Sequence, residues 1–325
     1  TFHFVSRQLM FARLALGVMM LVSLLKLRDI RRLSLLGFFA GVGLMVLALF
    51  IGPEVKGAHR WLDFGPLSIQ PSEFTKPAFV ILCAACLSQW QRTGKPAGLI
   101  AGLILYGMFV GVLIQQPDFG QTLLVTATFG ALLFFAGLSL WIIGAGVGLA
   151  MGGGVAAYFL VSHVQSRVDR FLNPDSGDTY QVDRAMAALH NGGLLGVGPG
   201  EGTVKASIPD AHTDFILAVV GEEFGLIACM LLAAVFCFLV LRALYRSLQC
   251  PDSFSQIAAA GLAVMLGLQA VINMAVNLQL MPAKGMTLPF ISYGGSSILA
   301  LALSVGCLIA LTRKRPGARR KRPVR

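Results

Sequence analysis

Long apolar stretches separated by short polar clusters are the dominant pattern of this chain. Nine stretches stand out: Leu9–Leu25, Leu33–Ile51, Thr75–Trp90, Ala97–Gln115, Gln121–Gly137, Leu140–Val161, Phe215–Leu241, Ser255–Leu278 and Leu288–Leu311. Most are near the roughly 17–25 residues that cross a hydrocarbon core as a helix. Thr75–Trp90 is short, so a tilted or partly re-entrant segment is expected there. The run from Gln121 to Ser162 holds no charge and is too long for one crossing, which places a tight hairpin near Gly137-Leu138-Ser139. The pattern therefore predicts an all-α, polytopic transmembrane helical bundle with nine spans. One integral membrane domain takes residues 1–312, and 313–325 form a basic tail.

Charge sets the expected orientation. Lys26, Arg28, Arg31 and Arg32 lie between the first two stretches, Arg92 and Lys95 between the third and fourth, and Arg242 and Arg246 after the seventh. Alternation puts all of these on the side of the tail, and excess Lys and Arg marks the cytoplasmic side. The C-terminus is then cytoplasmic and Thr1 outside, which suggests an upstream helix. The outer side carries Gly52–Phe74, the turn Gln116–Gly120 and His163–Thr213. The last of these is about fifty residues long, and loops of that length are usually functional or disordered. Its mix of charge, aromatics and glycine predicts an ordered, partly helical loop before the seventh span.

Composition agrees. Of 325 residues, 56% are hydrophobic and 13% charged, against roughly a quarter charged in soluble domains. The net charge of +11 owes much to the tail, and no aromatics interleave its basic residues. Contact with anionic membrane lipid is expected, and nucleic acid is not. Five of six cysteines lie in apolar stretches. Cys83-Ala-Ala-Cys86 is read as packing, since no second pair or nearby histidine joins it. No cleavable signal-peptide pattern begins the chain.

Candidate chemistry gathers on the outer side. Asp214, beside His212 and Thr213, stands where the long loop meets the seventh stretch. A carboxylate there can act as a general base or anchor a divalent cation; equally, Thr213 or Asp214 can cap the helix that follows. Glu222 and Glu223 lie about two turns deeper, where carboxylates are costly and either pair or work. They are expected to support the site. Glu73 and Lys76 share a helix face at i, i+3, with Ser72 as the expected cap. Gly192–Gly202 is glycine-rich and could form an anion nest, and Lys205, Arg167, Arg170 and Arg184 on the same loop could meet phosphates. Pro282–Ser297, with Lys284, Ser292 and Tyr293, holds two prolines and paired glycines. Such a segment predicts a bent backbone lining a cavity, or small residues for close packing.

These motifs together resemble the SEDS family (shape, elongation, division and sporulation). The resemblance runs from about Phe4 to Thr312. It rests on Arg60-Trp61-Leu62 with Gln70–Lys76, on Gln116-Pro117-Asp118-Phe119-Gly120, on Pro209–Glu223 and on Lys284–Ser297. Gly221-Glu222-Glu223 and Lys284–Pro289 make the division branch look closer than the elongation branch. Members have ten membrane helices with both ends cytoplasmic, so the first would be missing here.

The resemblance implies a peptidoglycan glycosyltransferase that polymerises lipid II into β-1,4 glycan on the outer face of the bacterial cytoplasmic (inner) membrane, at the division septum. It implies Asp214 as the catalytic aspartate and Glu73–Lys76 as the family's ion pair. The implied partners are a class B penicillin-binding transpeptidase and other membrane proteins of the division machinery. A single base with one displacement would invert the anomeric carbon. The pyrophosphate leaving group calls for basic residues or for Mg²⁺ or Mn²⁺, with Asp214 as the candidate ligand; no His or Cys cluster is present to hold zinc. Three alternatives stay open: a polymerase of the elongation branch, a lipid II flippase, which intramembrane Glu222 and Glu223 would suit, and a non-catalytic scaffold, in which Asp214 would tolerate Asn.

Overall fold

The computed structural model describes residues 2–55, 58–65, 67–160, 162, 164–165, 180–209, 211–281 and 285–313. Arg167, Arg170 and Lys284 lie outside the described residues.

Helices dominate. In chain order they are α1 (Phe2–Ser23), α2 (Leu27–Ile51), α3 (Pro71–Thr93), α4 (Ala97–Gln115), α5 (Phe119–Phe135), α6 (Leu140–Leu160), α7 (Tyr180–Gly192), α8 (Ile216–Leu248), α9 (Ser253–Asn277) and α10 (Gly295–Thr312). Each of the predicted apolar stretches falls on one of them. By length and composition α2, α4, α8, α9 and α10 can each cross a membrane, and α5 is a shorter apolar helix. The chain is a polytopic helical membrane protein. The turn expected at Gly137 is present, with that glycine at φ 87°.

Three expectations change. The third stretch is not short: α3 runs 23 residues, about 34 Å at 1.5 Å per residue. Polar residues at both of its ends hid its length. Nor does Ser72 cap it. Pro71, whose fixed φ suits the first helical position, starts the helix two residues earlier, and Gln70 is the cap residue without a side-chain bond. The ninth stretch begins later than expected. Residues 288–294 are non-helical, and α10 starts at Gly295. Pro289 and Phe290, the latter at φ 62°, keep the backbone out of a helix until then.

The contacts divide the chain into two compact units. The first holds Thr1–Gly137, Leu239–Leu268 and Tyr293–Arg325; the second holds Leu138–Phe238 and Gln269–Ser292. Helices α8 and α9 each run through both sets of residues.

In the first unit, rings from four helices meet around Phe79. Phe38 of α2 lies 6.2 Å from Phe79 of α3, Phe79 lies 5.4 Å from Phe109 of α4, and Phe79 lies 6.1 Å from Phe129 of α5. Between α2 and α3 the chain forms two small antiparallel ribbons, Glu54–Val55 with Ala58–His59 and Leu62–Phe64 with Leu67–Ile69. In the second unit, Ala185 and Ala188 of α7 pack with Ile208, Phe215, Ala218 and Val276. That cluster seats the amphipathic α7 and the turn before α8.

Candidate active site

Two polar centres emerge, one in each unit. In the first, Glu73 and Lys76 occupy the first turns of α3 and are almost fully buried. Their ion pair is 2.9 Å long. The same Glu73 oxygen accepts from Gln121 Nε2 of α5 at 2.6 Å. Pro77 has no amide, so the helix offers no i+4 donor to the Glu73 carbonyl. The start of α5 belongs to the same network. Asp118 caps it by accepting from the Gln121 amide, and Gln70 Nε2 donates to its other oxygen at 3.3 Å. Arg60 lies 3.7 Å from that carboxylate and donates to the carbonyls of Gln116 and Pro117. Burial pushes the Asp118 carboxyl up, against the downward pull of Arg60 and the Gln121 amide. The Arg60, Gln70–Lys76 and Gln116–Gly120 motifs, far apart in sequence, are therefore one structure.

The second centre is built on a break in α8. Gly225 has φ 79° and ψ 179°, a conformation essentially restricted to glycine. A break strands the carbonyls before it and the amides after it, and in a membrane those groups need protein partners. The glycine-rich loop supplies them. Leu226 and Ile227 amides donate to the carbonyls of Gly193 and Leu194 at 2.9 and 3.3 Å, while Val197 and Gly198 amides donate to the carbonyls of Glu222 and Glu223, both at 3.0 Å. A β-carbon at Gly192 or Gly196 would overlap the α8 backbone, so this glycine run permits close approach.

Glu222 is fully buried against the same loop. It accepts from the backbone amides of Thr203, Val204 and Lys205 at 2.7–2.9 Å and from Asn191 Nδ2 at 2.9 Å. An anion nest does exist, then, but at residues 203–205, and its anion is Glu222. Lys205 Nζ pairs with Glu223. The structure thus brings Lys205, Glu222 and Glu223 together. Arg184 lies over the Tyr180 ring, 5.2 Å from its centroid.

Asp214 sits in a turn, residues 211–215, immediately before α8. It and Thr213 are half-buried, and His212 is exposed. The first-turn amide of Ala218 is met by Asn277 Oδ1 at 3.2 Å. The backbone carbonyl of Asp214 accepts from Asn273 Nδ2 and Asn277 Nδ2 of α9 at 2.9 and 3.0 Å. Asn273 also donates to the Met286 carbonyl at 2.6 Å, and Gln269 to that of Thr287 at 3.2 Å. Asp214 Oδ2 lies 3.6 Å from where a β-carbon on Gly285 would stand. The Ser292 hydroxyl accepts from the Leu288 amide at 2.8 Å and closes the turn around Phe290. Tyr293 is half-buried. Gln269, Asn273 and Asn277 were missed in the sequence. Their spacing of four along an apolar helix is a polar stripe, and that was the available signal.

Comparison with known proteins follows the same motifs. The profile of the FtsW/RodA/SpoVE family, described as cell cycle protein, matches residues 1–316. The chain is 48% identical over 318 residues to the probable peptidoglycan glycosyltransferase FtsW of Caulobacter vibrioides, covering 98% of the chain and 81% of that protein. It is 36% identical over 321 residues to the protein of the same description from Coxiella burnetii, covering 95% and 86%. Among solved structures it is similar to one described as structural coordination of polymerization and crosslinking by a peptidoglycan synthase complex. There the TM-score is 0.81, with 29% identity and coverage of 95% and 89%. The rod shape determining protein RodA of Thermus thermophilus gives a TM-score of 0.69, 28% identity and coverage of 95% and 87%. The chain belongs to the FtsW/RodA/SpoVE family of cell cycle proteins, the SEDS proteins that its motifs resemble.

Proposed function

We propose that this protein is a peptidoglycan glycosyltransferase that polymerises lipid II, with Asp214 as the general base. The 48% identity to an FtsW along almost the whole chain supports the enzyme class. The contrast between two carboxylates supports the assignment of the base. Glu222 is fully buried and its oxygens are taken by three amides and an asparagine, whereas Asp214 is half-buried in a turn at the mouth of α8. A base must reach the proton it removes, and Asp214, unlike the fully buried Glu222, keeps part of its surface exposed.

In the reaction, the acceptor hydroxyl attacks the anomeric carbon of a lipid-linked donor as Asp214 takes its proton. The bond to pyrophosphate breaks, and a single displacement inverts the carbon. Asp214 would also be the residue to hold Mg²⁺ or Mn²⁺, which when bound stabilises negative charge on the pyrophosphate. No group of three His, Cys, Asp or Glu that could hold a metal occurs among the described residues. Lys205, already paired with Glu223, serves the loop before it serves a phosphate. His212 and Thr213, together with Arg170 and Lys284 outside the described residues, are proposed for substrate contact.

The same reading places the protein in the bacterial inner membrane at the division septum, with its C-terminus cytoplasmic. Its proposed partners are a class B penicillin-binding transpeptidase and other division proteins. The similarity to a chain of a peptidoglycan synthase complex supports the transpeptidase.

The test is lipid II polymerisation by the purified protein with its transpeptidase, comparing wild type with Asp214→Asn, with and without chelator. Wild type is expected to make glycan chains and the folded, partner-bound variant to make none, with chelator sensitivity adding a metal. Equal activity of the two removes Asp214 as the base. Two inactive proteins that nonetheless carry lipid II across liposome bilayers would replace polymerisation with flipping.

A further inference from the structure

The Asp214 peptide is held more tightly than a loop residue needs to be. Asn273 and Asn277 stand one helical turn apart on one face of α9, and both are buried. Their side-chain amides converge on a single acceptor, the Asp214 carbonyl, at 2.9 and 3.0 Å. Neither stops there. Asn277 also accepts from the Ala218 amide, so it grips both ends of the stretch from Asp214 to the first turn of α8. It donates as well to the Asn273 carbonyl at 2.9 Å. Asn273 joins Asp214 to the Met286 carbonyl, next to the Gly285 over which the Asp214 carboxylate lies.

We infer that Asn273 and Asn277 are positioning residues for Asp214, fixing its backbone so that the carboxylate meets the acceptor hydroxyl at reacting distance. This rests on the reading of Asp214 as the base. The physical reason lies in the chain around Asp214. A turn before a helix has no regular bonding of its own, and two asparagines bring α9 and the loop before α10 to bear on one peptide. Each asparagine engages two or more backbone groups, so neither can rotate away without stranding buried polar atoms. A shift of about 1 Å at a reacting group can cost on the order of 100-fold in rate, so a clamp acting through backbone alone would appear in turnover.

The experiment uses the full chain with its transpeptidase. Asn273→Ala, Asn277→Ala and the milder Asn273→Ser, whose hydroxyl can still donate to one carbonyl, are compared for kcat, KM for lipid II and thermal midpoint. The expected result is a kcat about 10- to 100-fold lower for the alanine variants, with KM changed less than about threefold. Asn273→Ser should recover part of the loss. If the alanine variants do not fold, Asn273→Ser alone is read, and it should still lower kcat without raising KM. Folded variants with wild-type kcat, or with a loss confined to KM, overturn the inference while leaving Asp214 as the base. An Asp214→Asn protein with full activity overturns both, so the two failures are distinguishable.

Discussion

A β-carbon built on Gly225 would overlap the carbonyl oxygen of Leu194. The glycine-rich loop is therefore seated inside the break in α8 rather than lying over it. Gly225→Ala has to displace Leu194 and must also adopt φ 79°, ψ 179° with a side chain. Backbone strain of about 1–3 kcal/mol is expected, in addition to the loop's lost hydrogen bonds. Thermal unfolding in detergent should show a clear drop in midpoint, and the amides of Val197 and Gly198 should exchange faster. Unchanged exchange would mean that the loop does not depend on the break.

Glu222→Gln keeps shape and removes charge. Three backbone amides and Asn191 now converge on the carboxylate, and a glutamine presents an NH2 to one part of that ring of donors. At least one buried donor loses its acceptor, at about 1–3 kcal/mol. Lower stability is expected, with faster proteolysis near residues 203–205. Were the variant as stable as wild type but catalytically dead, Glu222 would belong to the chemistry instead.

The Glu73–Lys76 pair should behave non-additively. Glu73→Gln alone removes the charge that faces the buried Lys76 ammonium at 2.9 Å, a loss of about 3–5 kcal/mol. Adding Lys76→Met removes the buried ammonium as well. The double variant should therefore unfold at a higher temperature than Glu73→Gln, even though it carries one more change. A double variant less stable than both singles would contradict this account.

Asp118 gives a pH dependence with a definite sign. Burial raises its carboxyl above the ordinary range, despite Arg60 and the Gln121 amide, with Glu73 and Lys76 also nearby. The folded state then holds this proton more tightly than the unfolded state does. The resulting stabilisation is complete below the ordinary carboxylate pKa of about 4 and is lost as pH rises through the raised value. Compared with Asp118→Asn, wild type should lose thermal midpoint as pH climbs from about 4 toward neutrality. A difference that grows in favour of wild type over that window would mean that Arg60 outweighs burial.

Much of the fold could be read from the chain because a membrane imposes a strict length rule. Each apolar stretch had to be a helix, since hydrocarbon leaves backbone groups no other partner. The rule failed where polar residues continue a helix, as at Pro71–Thr93, and where apolar residues do not make one, as at residues 288–294. The site was legible as motifs but not as a mechanism. Glu222 read as a costly carboxylate in a span and the glycine run as an anion nest; nothing local said that the first fills a nest beside the second.

Sequence by itself determined that this is a helical membrane protein of the FtsW/RodA/SpoVE family and that Asp214 heads a helix at the end of a long loop. Tertiary structure alone decided which polar groups meet. Gln121 reaches Glu73 across 48 positions and Asn277 reaches Asp214 across 63. The loop at Leu194 fills the gap left by Gly225. Helical periodicity reports which face of a helix is polar. It carries no information about which distant segment brings the matching donor or acceptor, because that is set by how the helices pack.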